Sequence, residues 1–240
     1  MAGVALAVPE TPAAAETIAA RIVSETMRVR VKICGITTPE DAQSASSLGA
    51  DAIGLNFYAK SPRYIDTATA RTIVSVLPAF VEPVALYVNE PHSIVQSRCA
   101  ELGLRSVQIH GAQSVPLPGD SLRWMPAFSV KDSDSLLSIL SYIEICRAAG
   151  ALPAAILIDA HVAGMFGGTG KAAPWHLLAD FKPGVPIILA GGLTPDNVAE
   201  AIRTVRPWAV DVASGVESSP GRKDVDLVKR FIEAVREADY

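Results

Sequence analysis

The chain has 240 residues, half of them hydrophobic and 19% charged, enough apolar content to bury a sizeable core and too little charge for a disordered chain. With 21 basic and 25 acidic residues the net charge is -4, and no basic run marks a nucleic-acid footprint, so no nucleic-acid partner is expected. Apolar runs such as Ala154–Ile158 and Val185–Ala190 break well short of the roughly 18 residues a membrane span needs, so no membrane partner is expected. Cys34, Cys99 and Cys146 are odd in number and widely spaced, and no C-x-x-C pair occurs. That excludes a disulfide scaffold and zinc ribbons and points to a reducing, cytoplasmic setting.

Residues 1–28 read as an N-terminal extension, with a candidate helix over Ala13–Met27. Met1–Val8 is apolar but lacks a basic start. Glu10, Glu16 and Glu25 argue against a transit peptide. From Val29 onward, short apolar runs alternate with helical segments. The predicted strands are Val29–Ile33, Ala52–Phe57, Val84–Val88, Ser106–Ile109, Arg123–Phe128, Ala155–Ile158, Pro186–Leu189 and Ala209–Val212. The predicted helices are Pro39–Leu48, Asp66–Leu77, Pro91–Leu102, a weak one near Ala112–Val115, Ser133–Ala149, Ala173–Ala179, Pro195–Val205 and Val225–Glu237. Thr38-Pro39-Glu40-Asp41 and Thr194-Pro195-Asp196 each offer an N-cap, a proline in the first turn and acid beside it. Alternating strand and helix means a parallel sheet. Eight such units over residues 29–240 fit a single-domain (β/α)8 TIM barrel. The alternative, an open doubly wound sheet, lacks a G-x-G-x-x-G after the first strand.

Such a barrel carries its active site at the C-terminal ends of its strands. There the sequence places Lys32 and Cys34, then Asn56, Gln108 and His110, Asp159, Gly191-Gly192, and Asp211 with Ser214-Gly215. Strand alternation puts Lys32 and Cys34 on one face, toward the barrel axis, and gives Asp159 the same inward parity as Leu157. A buried charge needs a partner, and Lys32 with Asp159 is the pairing this parity suggests. Glycines after strands seven and eight let the backbone approach an anion. A short helix from Ser214 would aim free N–H groups at it, so Gly191, Gly192, Ser214 and Gly215 are the candidate phosphate-binding residues. Gly167-Gly168-Thr169-Gly170-Lys171 has the wrong spacing for a Walker A loop and reads as a lid or a plain turn.

Several ordered motifs go further. They are Val31-Lys32-Ile33-Cys34-Gly35-Ile36-Thr37, Gly49–Gly54, Lys60-Ser61-Pro62-Arg63-Tyr64-Ile65, Val107–Gly111, Ile158-Asp159, Gly191–Val198 and Val210–Glu217. Across residues 29–238 the chain resembles the phosphoribosylanthranilate isomerase family of tryptophan biosynthesis. The resemblance implies an Amadori rearrangement with no cofactor and no metal. Asp159 would act as general acid on the furanose ring oxygen and Cys34 as general base at C2′. Arg63 would hold the substrate carboxylate and Asp211 would lie near the reacting part. A small phosphorylated substrate is the implied partner, and the protein is expected as a monomer or homodimer. The acid needs its pKa raised and the base needs its pKa lowered or a proton relay; Lys32 is a candidate source of positive charge for Cys34. Cys99 and Cys146 read as structural. Ala160, the stretch Ala172-Ala173-Pro174-Trp175 and Ala213 depart from the usual family pattern. A ribulose-phosphate epimerase, an indole-glycerol-phosphate synthase and a non-catalytic phosphosugar-binding barrel are the other readings. The first wants metal-binding histidines and the second a larger set of catalytic Lys and Glu.

Overall fold

The computed structural model describes residues 28–111, 120–160 and 175–238. The expected helices over Ala13–Met27 and near Ala112–Val115, the glycine-rich loop Gly164–Gly170 and the beginning of the expected helix at Ala173 lie outside these residues. In chain order the elements are β1 (Arg30–Cys34), α1 (Pro39–Leu48), β2 (Ala52–Asn56), α2 (Thr67–Ser75), β3 (Glu82–Val88), α3 (His92–Leu102), β4 (Ser106–His110), β5 (Arg123–Ser129), α4 (Ser133–Ala148) and β6 (Ile156–Asp159). A 3-10 turn, Trp175–Leu178, precedes β7 (Ile187–Ala190), α5 (Val198–Val205) and β8 (Ala209–Val212). A 3-10 turn at Ser214–Val216, the short strands β9 (Glu217–Ser219) and β10 (Arg222–Lys223), and α6 (Val225–Ala238) complete it.

Strands β1 to β8 pair in parallel in sequence order and β8 closes on β1. The expected eight-stranded barrel is therefore the observed one. Side-chain alternation divides the apolar residues into two layers. Odd positions of β1 and β2, such as Ile33, Ile53 and Leu55, face the helices with Ile156 and Ile158 and are fully buried. Each contributes about 1.5–3 kcal/mol of burial. Inside the barrel a smaller core holds Val84, Met125, Ala127, Ala155, Leu157, Ile188, Ala190 and Ala209.

Most boundaries fall within two residues of the sequence expectation, and several strands run further toward their C-terminal ends, where the polar residues sit. Thr38 caps α1 as expected, its Oγ1 accepting from the Asp41 N–H at 3.2 Å. The matching expectation at Thr194 is corrected. Pro195 and Asp196 lie in a turn, and α5 begins at Val198. The Asn197 side chain bridges back instead. Its Oδ1 accepts from Thr194 N at 2.8 Å and its Nδ2 donates to the Gly192 carbonyl at 3.0 Å. The β9–β10 hairpin was not anticipated; two- and three-residue strands leave no periodicity to read. Arg28, placed in the extension on sequence grounds, already pairs with Asp51 of the barrel.

Candidate active site

The eight residues singled out from the sequence, Cys34, Arg63, Asp159, Gly191, Gly192, Asp211, Ser214 and Gly215, all line one cavity of about 580 Å³ at the C-terminal end of the barrel. Asn56, Gln108 and His110 line it too. The strand residues among them arrive there by parity, and the others from the loops that follow the strands. Cys34 closes β1, Asp159 closes β6, and Asp211 sits one residue before the end of β8.

The β1–β8 register sets Lys32 directly beside Asp211. Lys32 Nζ donates to Asp211 Oδ1 at 2.7 Å, with the two side chains only 5% and 8% exposed. This corrects the expected Lys32–Asp159 pairing. Adjacent strands in register bring Lys32 and Asp211 together, whereas Asp159 stands on β6, three strands away from β1 around the barrel through β7 and β8. Burial works against the Lys32 charge, but Asp211 and Cys34 outweigh it and hold the ammonium above the usual lysine range.

Cys34 is buried beside them, 6% exposed. Burial, with Asp211 adding to it, pushes its thiol up; Lys32 and Lys223 pull down and do not win. Lys32 is thus the source of positive charge expected beside Cys34, but burial and Asp211 outweigh it in the resting thiol. Space for the sulfur comes from Gly54, its register partner on β2. A Cβ there would stand 2.7 Å from Sγ and 2.9 Å from Cys34 Cα. Glycine inside a strand marks such a close approach, a signal present in the sequence and not used.

His110 is held below the usual histidine range, first by burial and then by Lys32, with Asp211 and Asp159 opposing. Its Nε2 lies 2.7 Å from the Gln108 amide nitrogen, a contact that a neutral ring accepts.

The loops after β7 and β8 carry the candidate phosphate-binding residues. Gly191 and Gly192 are both left-handed, with φ of 91° and 67°, a conformation that favours glycine. A Cβ on Gly215 would stand 1.9 Å from the Leu193 carbonyl oxygen, so the two loops touch only because Gly215 has no side chain. The 3-10 turn at Ser214–Val216 is the short helix expected there.

Arg63 reaches the cavity with its fork already engaged. Nε and Nη2 donate to Glu217 Oε1 and Oε2 at 2.7 and 2.6 Å. Lys223 Nζ donates to the same carboxylate at 2.8 Å and to the Ala213 carbonyl at 3.1 Å. Glu217 and Lys223 were missed. They lie on the unanticipated hairpin, and no local pattern announces a partner 154 positions away in sequence. Burial pushes the Glu217 carboxyl up, but the bonds from Arg63 and Lys223 prevail and hold it below its usual range. Burial likewise drives Lys223 below the usual lysine range despite Glu217.

Cys99 and Cys146 lie buried on α3 and α4, away from this cavity, as expected. Among the described residues, no three His, Cys, Asp or Glu side chains are grouped to hold a metal ion. No helix among them is long and apolar enough to cross a membrane.

Comparison with known proteins agrees with the geometry. The family model for N-(5'phosphoribosyl)anthranilate (PRA) isomerase matches residues 31–234. An N-(5'-phosphoribosyl)anthranilate isomerase of Trichlorobacter lovleyi is 49% identical over 88% of this chain and 99% of its own length. The crystal structure of the Thermotoga maritima phosphoribosyl anthranilate isomerase superposes with a TM-score of 0.77 at 39% identity, covering 87% of this chain and 99% of that one. A phosphoribosyl anthranilate isomerase in complex with reduced 1-(o-carboxyphenylamino)-1-deoxyribulose 5-phosphate matches at TM-score 0.74 and 38% identity, over 87% of this chain and 99% of the other. With family motifs running from β1 to the turn after β8 and the eight singled-out residues on one cavity, this chain belongs to the N-(5'-phosphoribosyl)anthranilate isomerase family.

Proposed function

We propose that this chain converts N-(5'-phosphoribosyl)anthranilate into 1-(2-carboxyphenylamino)-1-deoxyribulose 5-phosphate by an Amadori rearrangement, a step of tryptophan biosynthesis, and that it does so in the cytoplasm. The observation that carries the reading is the common cavity: an acid, a thiol, an arginine and two glycine turns, drawn from five parts of the chain, face one space.

On this reading the substrate phosphate rests on the backbone N–H groups around Gly191, Gly192, Ser214 and Gly215, and Arg63 takes the aromatic carboxylate. Asp159, at the rim of β6, gives its proton to the furanose ring oxygen. The ring C–O bond breaks and the nitrogen lone pair forms the Schiff base. Cys34 then removes the C2′ proton. The C–H electrons fall toward the Schiff base to give the enolamine, which tautomerises to the ketone. Cys34 ends with the proton and Asp159 without one, so a proton must return from the thiol side to the acid before the next turnover.

The resting thiol is protonated, so the base must be generated. The Lys32 ammonium, hydrogen-bonded to Asp211 and pulling the Cys34 thiol down by its charge, is the group that can stabilise a thiolate there. Asp211, beside the sulfur, then serves as the partner that fixes Lys32 in place.

The test is loss of anthranilate-type fluorescence on adding freshly made phosphoribosylanthranilate, with EDTA present. Fast decay is expected, and Cys34→Ala and Asp159→Asn should each slow it by more than about a hundredfold, the lower range for acid–base groups. Near-normal turnover in either variant would remove that residue from its role. Binding without decay in the native protein would mean a phosphosugar binder.

A further inference from the structure

The cluster around Arg63 contains more than a substrate-binding arginine needs. A guanidinium has five N–H donors. Glu217 takes one on Nε and one on Nη2. Both donors on Nη1 and the second on Nη2 remain, along the end edge of the group, where another carboxylate can be held by two parallel bonds. Glu217 is thus placed to fix the plane and rotation of the guanidinium without using the edge left for a ligand.

Lys223 extends the same arrangement to the other anchor. Its side chain is 2% exposed, and that of Glu217 is 4%. The ammonium binds Glu217 on one side and the carbonyl of Ala213 on the other, immediately before the Ser214-Gly215 turn. The hairpin that carries Lys223 is itself tied down. The Lys223 backbone N–H donates to Asp41 Oδ2 at 3.1 Å, and the Gly221 carbonyl accepts from Thr37 Oγ1 at 2.6 Å. Gly221, with φ of 82°, packs against the Pro62 carbonyl, one residue before Arg63; a Cβ there would stand 3.1 Å from it. One short hairpin therefore joins the loops after β1, β2 and β8. Two cations and one anion leave one positive charge in excess, and Arg63, the member of the cluster that stays partly exposed, is where an incoming carboxylate can meet it.

We infer that Glu217 and Lys223 are positioning residues: Glu217 orients the free edge of Arg63 into the cavity, and Lys223 holds that edge at a set distance from the phosphate turn after β8, so that only a ligand carrying a carboxylate and a phosphate at the matching span engages both. This rests on the assignment of Arg63 to the substrate carboxylate and deepens it. Neither residue touches the reacting atoms.

The experiment compares two competitive inhibitors, reduced 1-(o-carboxyphenylamino)-1-deoxyribulose 5-phosphate and its counterpart with an unsubstituted phenyl ring. The native protein should favour the carboxylate-bearing compound by at least about tenfold, the worth of a charged hydrogen-bonded contact. Arg63→Ala should abolish that preference. Glu217→Gln, equal in size, should reduce it to within about threefold of Arg63→Ala, and adding Glu217→Gln to Arg63→Ala should lower it no further. Lys223→Met should both reduce the preference and weaken inhibition by inorganic phosphate, and Lys223→Arg should recover part of each. A role confined to stability would move both inhibitors together and leave their ratio alone, overturning the inference. A rise in preference on Glu217→Gln would also overturn it, because Glu217 would then be a competitor for Arg63. Retention of the preference in Arg63→Ala would overturn the Arg63 assignment first, and this inference with it.

Discussion

The cavity is flanked by two buried ionic clusters built on different principles. Lys32 and Asp211 lie on neighbouring strands in register, form a neutral pair and have Cys34 beside them. Arg63, Glu217 and Lys223 come from a loop and a hairpin and carry an excess positive charge. The barrel wall fixes its pair through backbone pairing, so little of it can move; that suits a group whose proton must be passed at a defined point. The loop cluster is fixed by side-chain bonds and by the hairpin's ties to Thr37 and Asp41 rather than by the barrel register, and its excess charge suits recognition of an anion. On the proposed mechanism, the difference assigns proton chemistry to strands and anchoring to loops.

Breaking the strand pair should have the larger consequence for stability. Lys32→Met leaves Asp211 buried without its counter-charge, expected to cost about 3–5 kcal/mol in urea unfolding, while Lys32→Met with Asp211→Leu recovers much of that loss without recovering turnover. Lys223→Met leaves a neutral Arg63–Glu217 pair and should cost less, about 1.5–3 kcal/mol, the worth of charged hydrogen bonds. Equal losses for Lys32→Met and Lys223→Met would erase the distinction. Gly54→Ala probes the wall more gently. Its new methyl presses on Cys34 Sγ and Cα, and overpacking should cost about 1–3 kcal/mol with a fall in kcat larger than any change in KM. An unchanged kcat would mean that the sulfur does not need that space.

The smallest effect is set by acid. The Glu217 carboxyl is held below its usual range in the fold, so the unfolded chain takes up its proton at a higher pH. Below the ordinary glutamate range the unfolded state therefore binds more protons, and the stability Glu217 contributes is lost as pH falls through its folded value. Thermal unfolding followed downward from neutrality should show a shallower decline in Glu217→Gln than in the native protein. Parallel curves would mean that other carboxylates dominate the acid limb.

How much of this was legible follows from the same division. Strand parity alone turned Lys32, Cys34 and Asp159 inward, because alternation is a local property of each strand. The partner of Lys32 was misjudged because parity says which face a side chain occupies and not which strand stands beside it; only the closure of β8 on β1 decides that. Gly191, Gly192 and Gly215 were readable as turn glycines, but the contact of Gly215 with Leu193 is a meeting of two loops. Glu217 and Lys223 were illegible because they act through a hairpin too short to leave a pattern and on an arginine far away in sequence. The turn at Pro195 resembled a helix start because proline and acid suit both.

The burial of Cys34 has one more consequence. Oxidants and alkylating reagents attack thiolates far faster than thiols, and only where they can reach them. A thiol at the floor of a cavity, 6% exposed and kept protonated at rest, is a poor target. The sulfur that the proposed chemistry depends on should survive air, peroxide or iodoacetamide during long idle periods, and become vulnerable only when something in the cavity draws its proton away.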